Sequence, residues 1–391
     1  MAYIVEGART AFGSFGGIFK DVSDIDLAVT AVKEALNRSN VDPEEVDEII
    51  IGNIIHTSAN SAYLARHIGL NSGLKNESRA LTVNRLCGSG MQSIVSGVQS
   101  ILLGDAHIIV AGGTENMSQA PRILRDTRFG SPNKVPQIDD MLWGTLTDNY
   151  IGCGMGVTAE NLAEKYNISR EEQDAFAIES HKKASTAVES GRFAKEIIGV
   201  EVRDRKGNVL VLDKDEHIRP QLDPEKIAQL KPSFKKDGTV TPANASGIND
   251  GAAAVVVMSE EAVKAHNVKP LAKIVAYAVA GVDPNIMGIG PVPATRQVVE
   301  KAGLTLEDID LFEFNEAFSS QSLAVIKELG VPAEKVNVNG GAVALGHPVG
   351  ASGARISYSL ALELHEKNAR YGVASLCIGG GQGIAILLER V

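Results

Sequence analysis

The sequence is short of aromatic residues, which make up 5% of its 391 positions, with a single tryptophan. It has three cysteines, Cys87, Cys153 and Cys377. So small and odd a number excludes a disulfide framework. With no C-x-x-C pair and no His/Cys ligand spacing, no metal site is expected. Positive charge is also in deficit. A net charge of −10 argues against general binding to nucleic acid or a membrane surface, though not against a small anion held by a local basic cluster. No apolar run reaches the roughly 18 residues of a membrane span. The first residues, MAYIVEGART, lack the character of a signal or transit peptide, so a cytoplasmic protein is expected.

What the sequence has in quantity is glycine, 39 residues, and a long internal repeat. AVTAVKEALNRSNVDPEEVDEIIIGN reads as an amphipathic helix, a turn, an acidic cap and a strand. PATRQVVEKAGLTLEDIDLFEFNEA repeats that order late in the chain. Each copy is followed by a glycine-rich turn, a helix and an apolar strand. Strands of this β-branched kind, alternating with helices, call for a layered α/β architecture with sheets buried on both faces. The expectation is two similar halves, each with its own sheet, packed through a shared helical layer. Residues 1–120 with 245–268 form the first half and 269–391 the second. Between them 121–244 breaks the repeat. It is more polar, carries RPQLDP, RDRKG and KPSFKKDG, and is too long for a bare loop. Its one clear helical stretch breaks near Asn167–Ser169. A domain covering a site made by the two halves is the natural reading.

Four turns carry the chemistry. In RLCGSGMQSIVSGVQSILLGD, Met91, Ile94, Val95, Val98, Ile101 and Leu102 share one helical face. Cys87 stands just before that helix, where free N–H groups favour an anion and lower a thiol's pKa. It reads equally as a packing residue or a nucleophile. In NVNGGAVALGHPVGASG, His347 occupies the second half's counterpart of the Cys87 region. A solvated loop histidine is the plain reading, and a Cys–His pair the sharper one. In LCIGGGQGIA, Cys377 ends an apolar strand before three glycines. These turn into another strand, so they are no dinucleotide fingerprint. They form either an oxyanion site or a tight hairpin beside a buried thiol. In FEFNEAFSSQS, Asn315 and Glu316 lie at a strand's carboxyl end, where α/β folds place ligand contacts, though Asn315 also reads as an N-cap.

Together VNRLCGSG, AGGTENMSQAP, NASGINDGAA, IMGIGPVPA, NEAF, NVNGGAVALGHPVGASG and CIGGGQGIA resemble the thiolase family over essentially the whole chain. NRLCGSG, LWGTLTD, DEHIRPQ and GGGQG most resemble its mitochondrial-type 3-ketoacyl-CoA branch and bacterial relatives. The resemblance implies a layered α/β/α/β/α fold and an acyltransferase with no cofactor, coenzyme A and acyl-CoA being substrates. Assembly as a homodimer or homotetramer is also implied. Cys87 would be the nucleophile, His347 its activator and Cys377 the proton shuttle. Asn315 would hold a water in one oxyanion hole with His347, and the N–H groups of Cys87 and Gly379 would form the other. Ser246, Arg219 and Phe234 would line the coenzyme A channel, and Met287, Ala317 and Phe318 the wall near the thioester. Lys226 stands where some relatives have serine and reads as a solvated helix residue, the alternative being a phosphate contact; Cys153 has no counterpart role and reads as a packing residue.

Two departures stand out. GMG at 154–156 replaces an HMG frequent in short-chain members, leaving room for a longer acyl chain. HTSANSAY at 56–63 departs from a glycine- and glutamine-rich run. Thiolysis of 3-ketoacyl-CoA is the leading activity, with condensation of two acetyl-CoA as alternative. A ketoacyl-synthase-type enzyme is disfavoured by the second thiol, and an inactive acyl-CoA carrier by the intact Cys87, His347 and Cys377.

Overall fold

The computed structural model describes residues 1–130, 135–203 and 206–391. The middle of RDRKG lies outside the described residues. In the first half, β1 (Ala2–Thr10), α1 (Asp24–Ser39), β2 (Glu48–Gly52), α2 (Leu64–Asn71), β3 (Arg79–Val83), α3 (Ser89–Leu103) and β4 (Ile108–Asn116) follow in turn. The insertion contains α4 (Met141–Thr145), α5 (Met155–Tyr166) and α6 (Arg170–Glu189). The break between α5 and α6 is Asn167 in the left-handed region, followed by a Ser169 capping box. β5 (Asn249–Ser259) then completes the first half.

The second half runs β6 (Ala272–Gly281), α7 (Pro291–Lys301), β7 (Leu311–Phe314), α8 (Ser319–Leu329), α9 (Ser352–Glu366), β8 (Tyr371–Ile378) and β9 (Gln382–Arg390). Strand order is β1-β5-β4-β2-β3 in one half and β6-β9-β8-β7 in the other. Where β3 pairs β2, the second half has only a parallel bridge, Phe312 to Val336. The two halves therefore share one topology. Their sheets are not separate as expected from the repeat. β1 and β6 pair over Ala2–Ile4 and Ala272–Ile274, so hydrogen bonding runs through both. A bulge at Ile4/Glu6 and another at Ile274/Ala276 flank this short join, and bulges bend strands away from one another.

Neighbouring side chains explain the five layers. Ile50, Ile109 and Val257 face the central layer with α3 and α9. Ile49, Ile51 and Val110 point the opposite way, onto α1 and α2. Phe312, Phe314 and Leu387 pack on α7 and α8. This period-2 alternation buries both faces of each half-sheet. α3 is apolar enough over Leu86–Leu103 to pass for a membrane span, and its place between the half-sheets accounts for that. Leu102 leaves the face expected of it. It lies in the last turn before the Gly104 left-handed cap and is 61% exposed.

The N-terminal ends of α3 and α9 meet. A Cβ on Gly90 would lie 2.7 Å from the Ala354 nitrogen, and one on Gly353 2.2 Å from the Met91 nitrogen. Glycine permits the backbones to touch, which brings the turns before the two helices together.

Candidate active site

Cys87 sits at the tip of a strained turn. Leu86 before it has φ 47°, a costly conformation for a bulky residue that marks functional turns. Side chains hold the turn in place. The Leu86 N–H donates to Asn84 Oδ1 (2.9 Å) and the Arg85 N–H to Ser89 Oγ (2.8 Å), while Ser89 Oγ donates to the Leu86 carbonyl (2.7 Å). The backbone N–H groups of Gly379 and of Cys87 itself lie near the sulfur and act to lower its pKa. Helix-end stabilisation was expected to lower this thiol's pKa. Burial instead pushes it up, against those two N–H groups, with the Glu115 carboxylate adding to the rise. The residue is part-exposed, but protein surrounds its sulfur.

His347 follows Gly346, whose φ is 101°. A side chain on Gly346 would strike Asn249, with atoms at 2.3–2.5 Å, and Asn249 Oδ1 accepts the His347 N–H at 3.0 Å. His347 Nδ1 lies 2.6 Å from Ser352 Oγ, and Asn315 Nδ2 lies 3.4 Å from His347 Nε2. Burial, with the charge of Arg355, pulls the imidazole pKa down to about 3, so the ring is a neutral base. Asn315 Oδ1 is buried with no partner among the described residues. Cys377 is fully buried on β8, and burial followed by the charge of Cys87 drives its thiol far up. One turn beyond, Gly380 and Gly381 have φ of 81° and 82°, which shapes the hairpin that carries Gly379. The Cys87 turn packs directly on this hairpin: a Cβ on Gly88 would lie 2.6 Å from Ile378.

Residues 2–261 match the thiolase N-terminal domain and residues 268–390 the thiolase C-terminal domain. The chain belongs to the thiolase family. It is 50% identical to human mitochondrial 3-ketoacyl-CoA thiolase over 99% of this chain and 98% of that one. It is 49% identical to an acetyl-CoA acetyltransferase of Syntrophomonas wolfei, covering 99% and 98%. The crystal structure of the human mitochondrial enzyme superposes with a TM-score of 0.97 at 50% identity, covering 100% of this chain and 98% of that one. A complex of the human enzyme with CoA gives 0.96 at the same identity and coverage.

In this thiolase a cavity of 650 Å³ opens over Cys87 and His347. Ser246, Phe234, Met287, Ala317 and Phe318 all line it. Phe234 meets Phe318 edge to face, 6.2 Å between centroids. Arg219 is not in this wall. Its guanidinium turns at the surface onto the Glu216 carbonyl (2.9 Å), and His217 lines the cavity in its place. Cys377 stands behind the wall, clustered with Met287, Ala317 and Phe318. Cys153 is part-exposed on a two-residue strand rather than packed in a core. Lys226 is exposed and pairs with Asp223.

Three residues of the site escaped the sequence reading. Ser352 and Asn249 lie within the glycine-rich motifs, but nothing in spacing marks a serine five residues after His347 as its partner. Glu115, in AGGTEN, takes the N–H groups of Ile54 (3.2 Å) and Ile55 (2.9 Å). Glu316 accepts from Ser180 Oγ (2.7 Å), Asn337 Nδ2 (2.8 Å) and the Val343 N–H (3.2 Å), which ties the Asn315 turn to α6 of the insertion.

Proposed function

We propose that this acyltransferase cleaves 3-ketoacyl-CoA with free coenzyme A, giving acetyl-CoA and a shortened acyl-CoA. The observation that carries it is the convergence of Cys87 and a neutral His347 on one cavity, with the Gly379 N–H near the Cys87 sulfur and the buried Cys377 thiol behind the wall. His347 Nε2 takes the Cys87 proton as the sulfur attacks the C3 ketone. The N–H groups of Cys87 and Gly379 receive the oxyanion. The C2–C3 bond then breaks and its electrons form the acetyl-CoA enolate. The protonated His347, with a water held by Asn315, steadies the enolate oxygen, and Cys377 gives its proton to C2.

Acetyl-CoA leaves with the acyl group on Cys87. The incoming coenzyme A thiol gives its proton to the Cys377 thiolate and attacks the thioester. Cys87 departs and recovers its proton from His347. A thioester intermediate keeps the energy of the substrate thioester, so the same groups run the sequence backwards. Condensation of two acetyl-CoA is that reverse, and the name of the Syntrophomonas relative favours keeping it as the second reading.

Purified protein given free coenzyme A and 3-ketoacyl-CoAs of rising chain length tests the proposal. Acetyl-CoA should appear from each. Turnover of the four-carbon substrate alone would favour the second reading, and none at all would end the first. The proposal includes self-association, a dimer or tetramer, because β3 leaves an exposed sheet edge. A monomeric mass by light scattering would overturn that part. Three free thiols fit a reducing compartment, cytoplasmic on this reading, and fluorescent tagging in the source cell tests it.

A further inference from the structure

The oxyanion site of Cys87 and Gly379 draws its two N–H groups from opposite halves of the chain. Cys377 lies inside the β8–β9 ladder, opposite Gly383, so the sheet fixes it. The last pair of that ladder is Ile378 with Gln382. Gly379 follows, outside the ladder, in a turn of three glycines. A Cβ on it would meet only Met155 Sδ at 3.2 Å and Leu86 at 3.4 Å. The Cys87 N–H belongs to the strained turn before α3. Both must aim at one oxygen, so the turn has to be fixed against the hairpin.

Arg85 crosses that gap. Two residues before Cys87, it donates from Nε to Gln92 Oε1 (2.8 Å) and from Nη1 to Gln382 Oε1 (3.2 Å). Each acceptor is anchored. Gln92 lies on α3 and gives its amide to Ser96 Oγ, one turn on (3.0 Å). Gln382 pairs with Ile378 on one side and with Gly281 of β6 on the other. Its carbonyl also backs onto Gly290, where a Cβ would lie 2.1 Å away. Both acceptors are neutral amides, so the guanidinium acts here through its planar fork of donors. None of these three side chains lines the cavity over Cys87.

We propose that Arg85 is a positioning residue for the reaction. Its fork fastens the Cys87 turn to the end of the β8–β9 ladder and so sets the Cys87 and Gly379 N–H groups on one oxyanion. This deepens the thiolase reading and rests on it. The other oxyanion site, His347 with Asn315, is built from other segments and does not depend on the fork. Two steps therefore separate. Attack of Cys87 on a carbonyl carbon needs the fork. Proton exchange at C2 of acetyl-CoA, which uses Cys377, His347 and Asn315, does not.

The test compares Arg85→Ala, Arg85→Lys, Gln382→Ala and the double variant Arg85→Ala/Gln382→Ala in the full chain. Two rates are read: single-turnover acylation of Cys87 by radiolabelled acetyl-CoA, and solvent exchange of the α-hydrogens of acetyl-CoA on enzyme already acylated. Acylation is expected to slow at least tenfold in Arg85→Ala and in Gln382→Ala, with exchange within twofold of wild type. The double variant should be no slower than Arg85→Ala, because either change removes the same link. Arg85→Lys, a point charge in place of a fork, should fall between Arg85→Ala and wild type. Equal losses of both rates with a lowered Tm would show that Arg85 serves the fold alone and would overturn the assignment. So would acylation within twofold of wild type in both single alanine variants. Wild-type protein that neither acylates nor exchanges would instead remove the thiolase reading beneath it.

Discussion

Ser352 Oγ donates to the Pro348 carbonyl at 3.0 Å and lies 2.6 Å from His347 Nδ1. A hydroxyl has one proton, so Nδ1–H is the donor to Ser352 and Nε2 keeps its lone pair toward the cavity. The serine thus chooses the tautomer that can accept the Cys87 proton. Ser352→Ala should lower kcat about tenfold, roughly 1.4 kcal/mol of barrier, with little change in KM for coenzyme A. Nitrogen NMR of the imidazole should then show both tautomers. A variant with wild-type kcat and one tautomer would remove the role.

The two thiols should separate by function. Cys87→Ala is expected to abolish the covalent adduct left by radiolabelled acetyl-CoA. Cys377→Ala should still form it, yet fail to exchange the α-hydrogens of acetyl-CoA with solvent. Because burial raises the Cys87 thiol and His347 is neutral, alkylation of the free enzyme should rise with pH and show no step near the ordinary imidazole pKa. Normal exchange in Cys377→Ala would refute the shuttle, and a step near pH 6.5 would refute the neutral pair.

Acid should weaken the fold through buried histidines. His347 is held down to about 3 and His181 to about 4, burial being the first cause of each. The unfolded chain binds their protons from near pH 6.5, so it gains protons on the folded state as pH falls. Stability from these rings is complete above that value and drains away toward the folded pKa values. Tm should therefore drop on acidification below about pH 6.5, and His181→Gln should flatten part of the slope without touching His347. An unchanged slope in that variant would assign the effect elsewhere.

The repeat, its order of strands and helices along the chain and the turns bearing Cys87, His347, Asn315 and Cys377 were legible because period-2 and helical patterns, and glycine at strand ends, are local signals. What was not legible depends on contacts between distant segments. The join of β1 to β6 needs two bulges that no residue type announces. Cys87's raised pKa comes from protein packed around it, which outweighs the helix end visible in sequence. Ser352 and Glu115 act through three-dimensional neighbours, and a lone serine or glutamate carries no pattern of its own. Arg219 was named two residues beyond His217, which lines the cavity, while the Arg219 guanidinium turns back onto the Glu216 carbonyl.

The hairpin glycines are not equivalent. Both have positive φ, but a Cβ on Gly380 meets nothing within 4 Å while one on Gly381 would lie 2.3 Å from the Val282 carbonyl. Gly380→Ala should cost only the left-handed penalty, about 1–2 kcal/mol. Gly381→Ala must also push the hairpin away from Val282, which shifts the Gly379 N–H off the Cys87 sulfur. Thermal melts should rank Gly381→Ala well below Gly380→Ala, and only the former should lose kcat as well. Equal losses in both would show that strain alone matters here.

Arg9 ties catalysis to stability. Its guanidinium is fully buried, donating to Glu196 (2.7 Å) and to both Asp215 oxygens (2.7 and 2.9 Å). Burial would raise the Glu196 carboxyl, but Arg9 and Arg192 overcome it and hold it down to about 2. Removing the cation takes the ion pair from buried Asp215 and leaves Glu196 with Arg192 alone (3.1 Å), so Arg9→Met should destabilise by about 3–5 kcal/mol. Asp215 stands two residues before His217 and four before Arg219, and Glu216 between them accepts the Ser14 N–H at 2.8 Å. The same substitution should therefore loosen the segment that brings His217 to the cavity. KM for coenzyme A should rise more than kcat falls. A variant that is destabilised but binds coenzyme A as tightly as wild type would show that the ion cluster serves the fold alone.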